Sequence, residues 1–124
     1  MLPRDHRLTR SGDYARVRRE GRSRAHPLLI LAAAPNGGET TRVGLTVGKK
    51  IGSAVARNRV KRLLREAARA RLVRIRPGYD VVLIGRPDTA GSGLELVGAA
   101  LEQLLRRADL LGARQPGPRR EGGG

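Results

Sequence analysis

Apolar positions along the 124-residue chain follow two periodicities. From Leu94 to Leu111 they recur every three or four residues (Leu94, Val97, Leu101, Leu104, Leu105, Ala108), the spacing of an amphipathic helix with one buried side. From Arg42 to Val47 they alternate instead, Val43, Leu45 and Val47 against Arg42, Gly44 and Thr46, which predicts a half-buried strand. Pro27 to Ala34 is a continuous apolar run and Tyr79 to Ile84 reads YDVVLI; both predict buried strands. The turn residues Pro35-Asn36-Gly37-Gly38 lie between the first two strands, which read as an antiparallel pair.

Ser11-Gly12-Asp13 predicts the start of a short helix running to about Arg19, with Tyr14 and Val17 on one side and Gly21 at its end. A longer helix is predicted from about Ser53, its cap, to Arg74, before Pro77-Gly78. Arg86 to Gly93 reads as a loop. The succession helix, strands, helix, strand, helix predicts an α/β layer packed on a small mixed sheet. The length suits one domain, residues 1–111, followed by a disordered tail, 112–124, that carries no large apolar residue.

Charge changes the picture. Lys and Arg number 26 against 11 acids, a formal net charge of +15. Such an excess repels itself in a compact fold and is best stabilised by a polyanion, nucleic acid first among them. Aromatic residues are reduced to Tyr14 and Tyr79, too few for a sheet that stacks successive bases. No apolar run approaches the ~20 residues of a membrane span. Arg4, Asp5, His6 and Arg7 stand where a signal peptide would place its apolar stretch. The chain has no cysteine, hence no disulfide or thiolate metal site. A soluble cytoplasmic protein without a membrane partner is expected.

The cations concentrate on the second helix. At roughly 100° per residue, Val60, Leu63, Leu64 and Ala67 share one side, while Asn58, Lys61, Arg62, Arg65 and Arg69 occupy most of the other. Arg57 and Arg59 lie on the borders, and Glu66 can pair with Arg62 or Arg69. Uncompensated like charges on one helix face are destabilising, and arginine offers two parallel donors to a phosphate. Phosphate binding by this face is the expected role. Gly48-Lys49-Lys50-Ile51-Gly52 lacks the Gly-Lys-Ser/Thr ending of a phosphate loop, so its lysines are expected only to extend the basic surface.

An active site of the chain's own is not expected. His6 and His26 are isolated, the aspartates are scattered, and no serine has an evident base. Any reaction would be carried by another molecule. A structural binder of ribosomal RNA, without a catalytic role, accounts for the charge equally well.

Three stretches sharpen this. Arg7-Leu8-Thr9-Arg10-Ser11-Gly12-Asp13-Tyr14, then Arg42-Val43-Gly44-Leu45-Thr46-Val47-Gly48-Lys49-Lys50-Ile51-Gly52, and above all the segment from Ala54 to Glu66 containing Arg57-Asn58-Arg59, resemble the protein subunit of bacterial ribonuclease P. The resemblance spans about residues 4 to 110. It implies a four-stranded mixed sheet with helices in the order α-β-β-β-α-β-α, a left-handed βαβ crossover, and a short extra strand near Gly21 to Arg24. It implies that the RNA subunit is the catalyst, using magnesium bound mainly by that RNA, and releases the 5′ leader of precursor tRNA. No cofactor of the protein alone and no obligate protein partner are implied. Carried onto this chain, the RNA-subunit contacts are Arg57, Asn58, Arg59, Lys61, Arg62 and Arg65. The leader cleft is lined by Tyr14, Arg18, Leu31 and Lys49, with Lys61 and Arg65 at its edge. Arg18 and Leu31 depart from the aromatic residues usual there, so leader stacking is expected to weaken. Tyr14 reads equally as an anchor under the first helix.

Overall fold

The computed structural model describes residues 2–112. Its elements are α1 (Ser11–Glu20), β1 (Arg22–His26), β2 (Leu29–Pro35), β3 (Arg42–Thr46), α2 (Ala54–Arg71), β4 (Tyr79–Gly85), the single-turn α3 (Pro87–Ala90) and α4 (Leu94–Arg107). The strands form one mixed sheet in the order β1-β2-β4-β3, within the α+β class expected from the sequence. β1 runs antiparallel to β2 and β2 to β4, whereas β3 lies parallel to β4, joined to it through α2.

That order corrects the strand pair read from the sequence. β2 and β3 are not neighbours, because β4 enters between them and satisfies the backbone of both. α4 also ends earlier than its apolar period suggests, at Arg107, because Asp109 takes a positive φ of 58° and turns Leu110 into the core. The predicted loop at 86–93 contains α3. Gly112 is still held, its N–H donating to Arg74 O; the rest of the expected tail lies outside the described residues.

Strand periodicity sorts the core into two faces. Leu29, Leu31, Val81 and Leu83 point toward α2 and α4, where they meet Val60, Leu64, Leu101, Leu104 and Leu105. Ala32, Ala34 and Val82 point the other way and pack with Val17 of α1 and with Leu8. α1 therefore adds a partial layer opposite the main helical one. Gly21 lets it approach: a Cβ there would stand 2.5 Å from both Ala33 O and Val17 O. Its backbone φ of −83° is ordinary, so close approach and not left-handed geometry calls for glycine.

Before α1, the N-terminal segment lies along the outer edge of β3. Leu8 N–H donates to Val43 O at 2.9 Å, His6 Nδ1 donates to Thr41 O at 2.7 Å, and Arg7 Nε donates to Leu2 O at 2.8 Å. Leu2 and Leu8 are both buried as a result. This covers an edge that would otherwise expose unpaired backbone groups.

Candidate nucleic-acid interface

The helix carrying the cations begins as the sequence predicts. Gly52 adopts a φ of 127°, open to glycine, and the Ser53 hydroxyl accepts from Ala56 N–H at 3.2 Å. Val60, Leu64, Ala67 and Ala68 are buried, which fixes the rotation of α2 and turns Asn58, Arg59, Lys61 and Arg62 outward. Arg57 and Arg65 are half-buried at the borders.

The cations differ in what holds them. Arg57 Nη1 donates to Gly52 O at 2.8 Å, across the start of its own helix. Arg59 reaches the end of α3 and the segment after it, with Nε donating to Ala90 O at 2.9 Å and Nη2 to Ser92 O at 3.1 Å. Both guanidinium groups keep further N–H donors for a ligand. Arg69 is paired with Glu66 at 2.8 Å, and its hydrogen bond holds the Glu66 carboxyl below its usual pKa against a smaller opposing effect of burial. Among the described residues Lys61, Arg62 and Arg65 have no hydrogen-bonding or ionic partner. Of the α2 cations expected to meet RNA, these three are held by neither carbonyl nor carboxylate among the described residues.

Lys61 and Arg65, one turn apart, face a groove of about 400 Å³ between α2, the start of α1, β3 and the N-terminal segment. Leu2, Leu8, Tyr14 and Gly44 line it with them. The Tyr14 hydroxyl donates to Leu8 O and accepts from Leu45 N–H, both at 3.1 Å. Its two sequence-based roles are thus compatible: the hydroxyl anchors the backbone while the half-buried ring forms part of the groove wall.

The other expected leader contacts are not gathered there. Arg18 is exposed one turn beyond Tyr14 on α1, and Lys49 is exposed on the turn Lys49–Ile51. Leu31 must be corrected. It is fully buried on the face of β2 that packs against α2 and α4, opposite the face covered by α1, because odd-numbered residues of β2 point that way.

Sequence reasoning missed the group that seats α1. Asp80, fully buried on β4, accepts from Arg42 Nε at 2.9 Å and Nη2 at 2.7 Å, from Asn36 Nδ2 at 3.0 Å, and from Arg16 of α1. Burial pushes its pKa up; the hydrogen bonds from Arg42 and Asn36 and the charges of Arg42 and Arg16 outweigh that and hold it below its ordinary value. The one hint in the sequence was an acid inside an apolar strand, which needs buried partners.

Comparison with known proteins agrees with this geometry. Residues 2–109 match the family Ribonuclease P. A ribonuclease P protein component from Herpetosiphon aurantiacus is 42% identical over 109 residues, covering 88% of this chain and 89% of that protein. One from a Roseiflexus species is 40% identical over 94% of this chain and 96% of its own length. In three dimensions, the RNase P protein of Staphylococcus aureus superposes with a TM-score of 0.77 at 27% identity, over 86% of this chain and 97% of that one. The Thermotoga maritima RNase P protein gives 0.74 at 30% identity, over 82% and 96%. The family match over residues 2–109, these relatives and the shared fold place the chain in the ribonuclease P protein family, as the protein component of a ribonucleoprotein endoribonuclease that acts in tRNA 5′ processing.

Proposed function

We propose that α2 binds the catalytic RNA subunit through Arg57, Asn58, Arg59, Lys61, Arg62 and Arg65, and that the groove beside it takes the 5′ leader of precursor tRNA. The observation that carries this reading is the pair Lys61 and Arg65, without acidic partners among the described residues, in one groove with the Tyr14 ring. A single strand entering there would set its phosphates on the two cations and an unstacked base against the tyrosine and leucines. Arg18, one turn beyond Tyr14 on α1, and Lys49, in the turn after β3, are exposed and add to the positive surface.

The chemistry belongs to the RNA. Magnesium, held mainly by that RNA, would supply an activated water and stabilise the leaving oxygen. Among the described residues no group of three or more His, Cys, Asp or Glu could hold a metal ion. The protein's part is electrostatic: its cations offset repulsion where leader and catalytic RNA meet, raising substrate affinity and local magnesium occupancy. No obligate protein partner and a cytoplasmic setting accompany this reading; among the described residues no helix is long and apolar enough to cross a membrane.

Adding the protein to its cognate catalytic RNA and precursor tRNA at low magnesium tests it. Cleavage should be rescued, and Lys61→Ala with Arg65→Ala should reduce the advantage of leader-bearing substrate. A protein that recovers ribosomal RNA alone from cell extract, and gives no rescue, would instead support the structural binder.

A further inference from the structure

A second basic site lies at the opposite edge of the sheet. The end of α1, β1, β2 and the C-terminal end of α4 enclose a cavity of about 380 Å³. Arg22 and Arg24 of β1 and Arg107 of α4 line it, with Tyr79 of β4 at its inner side and Ala33 and Leu110 among its apolar walls. Two carboxylates also line it, but each has a cation of its own: Glu20 pairs with Arg19 at 3.4 Å and Asp109 with Arg76 at 3.3 Å. The three lining arginines have no acidic partner among the described residues.

Arg24 carries the argument furthest. Its Nε is buried and makes no hydrogen bond, and its guanidinium lies beside two like charges. A buried donor without an acceptor is costly, as is a partly buried cation without an anion. Basic residues on an edge strand can serve simply to prevent edge-to-edge pairing. That accounts for exposed Arg22 but not for Arg24, which stands on the same sheet face yet is half-buried opposite Leu31. Cations also suit the C-terminal end of a helix, yet Arg107 only reaches Ala25 O, at 3.5 Å, and no carbonyl meets Arg24 Nε. An anion in the cavity would satisfy both needs.

We infer that this cavity is a second RNA site, taking the phosphodiester of an unpaired nucleotide on Arg22, Arg24 and Arg107 with its base toward Tyr79. The volume suits one nucleotide, and the combination of guanidinium groups with a single aromatic ring is that of sequence-tolerant strand binding. β1 and β3 are the two edges of the sheet, separated by three strand spacings, or about 14 Å. The protein therefore joins two RNA segments across its width. The inference rests on the proposed RNA partner but concerns a different surface.

The cysteine-free chain permits a direct test. Arg22→Cys and, separately, Asn58→Cys are coupled to iron-EDTA and assembled with catalytic RNA and precursor tRNA, and the sites of hydroxyl-radical cleavage are mapped. Cleavage from position 22, at nucleotides distinct from those cut from position 58, is the expected result. In parallel, Arg22→Ala with Arg107→Ala, both on exposed side chains, should flatten the logarithmic salt dependence of assembly by roughly one unit per arginine. Cleavage from 58 alone with an unchanged salt slope overturns the second site. Cleavage from neither position overturns the α2 interface as well.

Discussion

Tyr14 lies directly over Gly44: a Cβ at position 44 would stand 2.5 Å from the ring Cζ and 2.8 Å from Cε2. The glycine is what lets an aromatic ring rest on the edge strand. Gly44→Ala must displace that ring and loosen the bonds of its hydroxyl to Leu8 and Leu45. A loss of about 1–3 kcal/mol is expected, as for other overpacked sites, read by urea unfolding. Leader affinity should fall with it, because the ring forms part of the groove.

Tyr14→Phe separates the two roles. The ring stays, but Leu45 N–H and Leu8 O lose their partner, at a cost of about 1–3 kcal/mol where water cannot replace it. Stability should drop while the leader contribution to precursor tRNA affinity is largely kept. Comparing affinity for substrates with and without a leader checks the second half.

The Asp80 cluster makes stability depend on acid. Its carboxyl has a folded pKa below the ordinary 3.8, so between the two values the unfolded chain binds the proton and the folded chain does not. The stabilisation is full above the unfolded value and is lost as pH falls through the folded one. Asp80→Asn should cost roughly 3 kcal/mol at neutral pH, near the low end for a broken buried pair because Arg16 and Arg42 still reach water. The variant's stability should also fall less steeply than the parent's below about pH 4. Denaturant unfolding at several pH values measures both.

The helices were the most legible part of this chain, because a 3.6-residue period states which side is buried without reference to any partner. Strands state only that alternate residues share a face. In the run from Leu28 to Leu31 nothing says which parity meets α1, so the sequence pattern offers no check on the cleft position that family resemblance implies for Leu31. Likewise, a turn-rich link between β2 and β3 implies a hairpin until β4, nearly forty residues later, is known to enter between them. β1 has no apolar alternation because it is an edge strand with mostly exposed side chains, and only family resemblance pointed to it. The cationic face was legible as charge. Which of its arginines are tied to backbone was not, since Ala90 and Ser92 lie more than thirty residues from Arg59.

That last distinction separates two arginines one helical turn apart. Arg59 anchors the end of α3 and the segment after it by two hydrogen bonds, whereas Arg62 is exposed and has no partner among the described residues. Removing Arg59 with alanine should lower stability by about 1 kcal/mol, since the carbonyls of Ala90 and Ser92 can turn to water, and should also weaken RNA assembly. Arg62→Ala should leave stability within about 0.5 kcal/mol and weaken assembly alone, reducing the logarithmic salt slope by about one unit. Arg59→Lys gives the sharpest contrast: it keeps the charge but not the fork that spans two carbonyls, so stability should fall as in the alanine variant while most of the salt slope is retained. Equal stability for Arg59→Ala and Arg62→Ala in thermal unfolding would mean that the Arg59 side chain is free in solution and acts through RNA only.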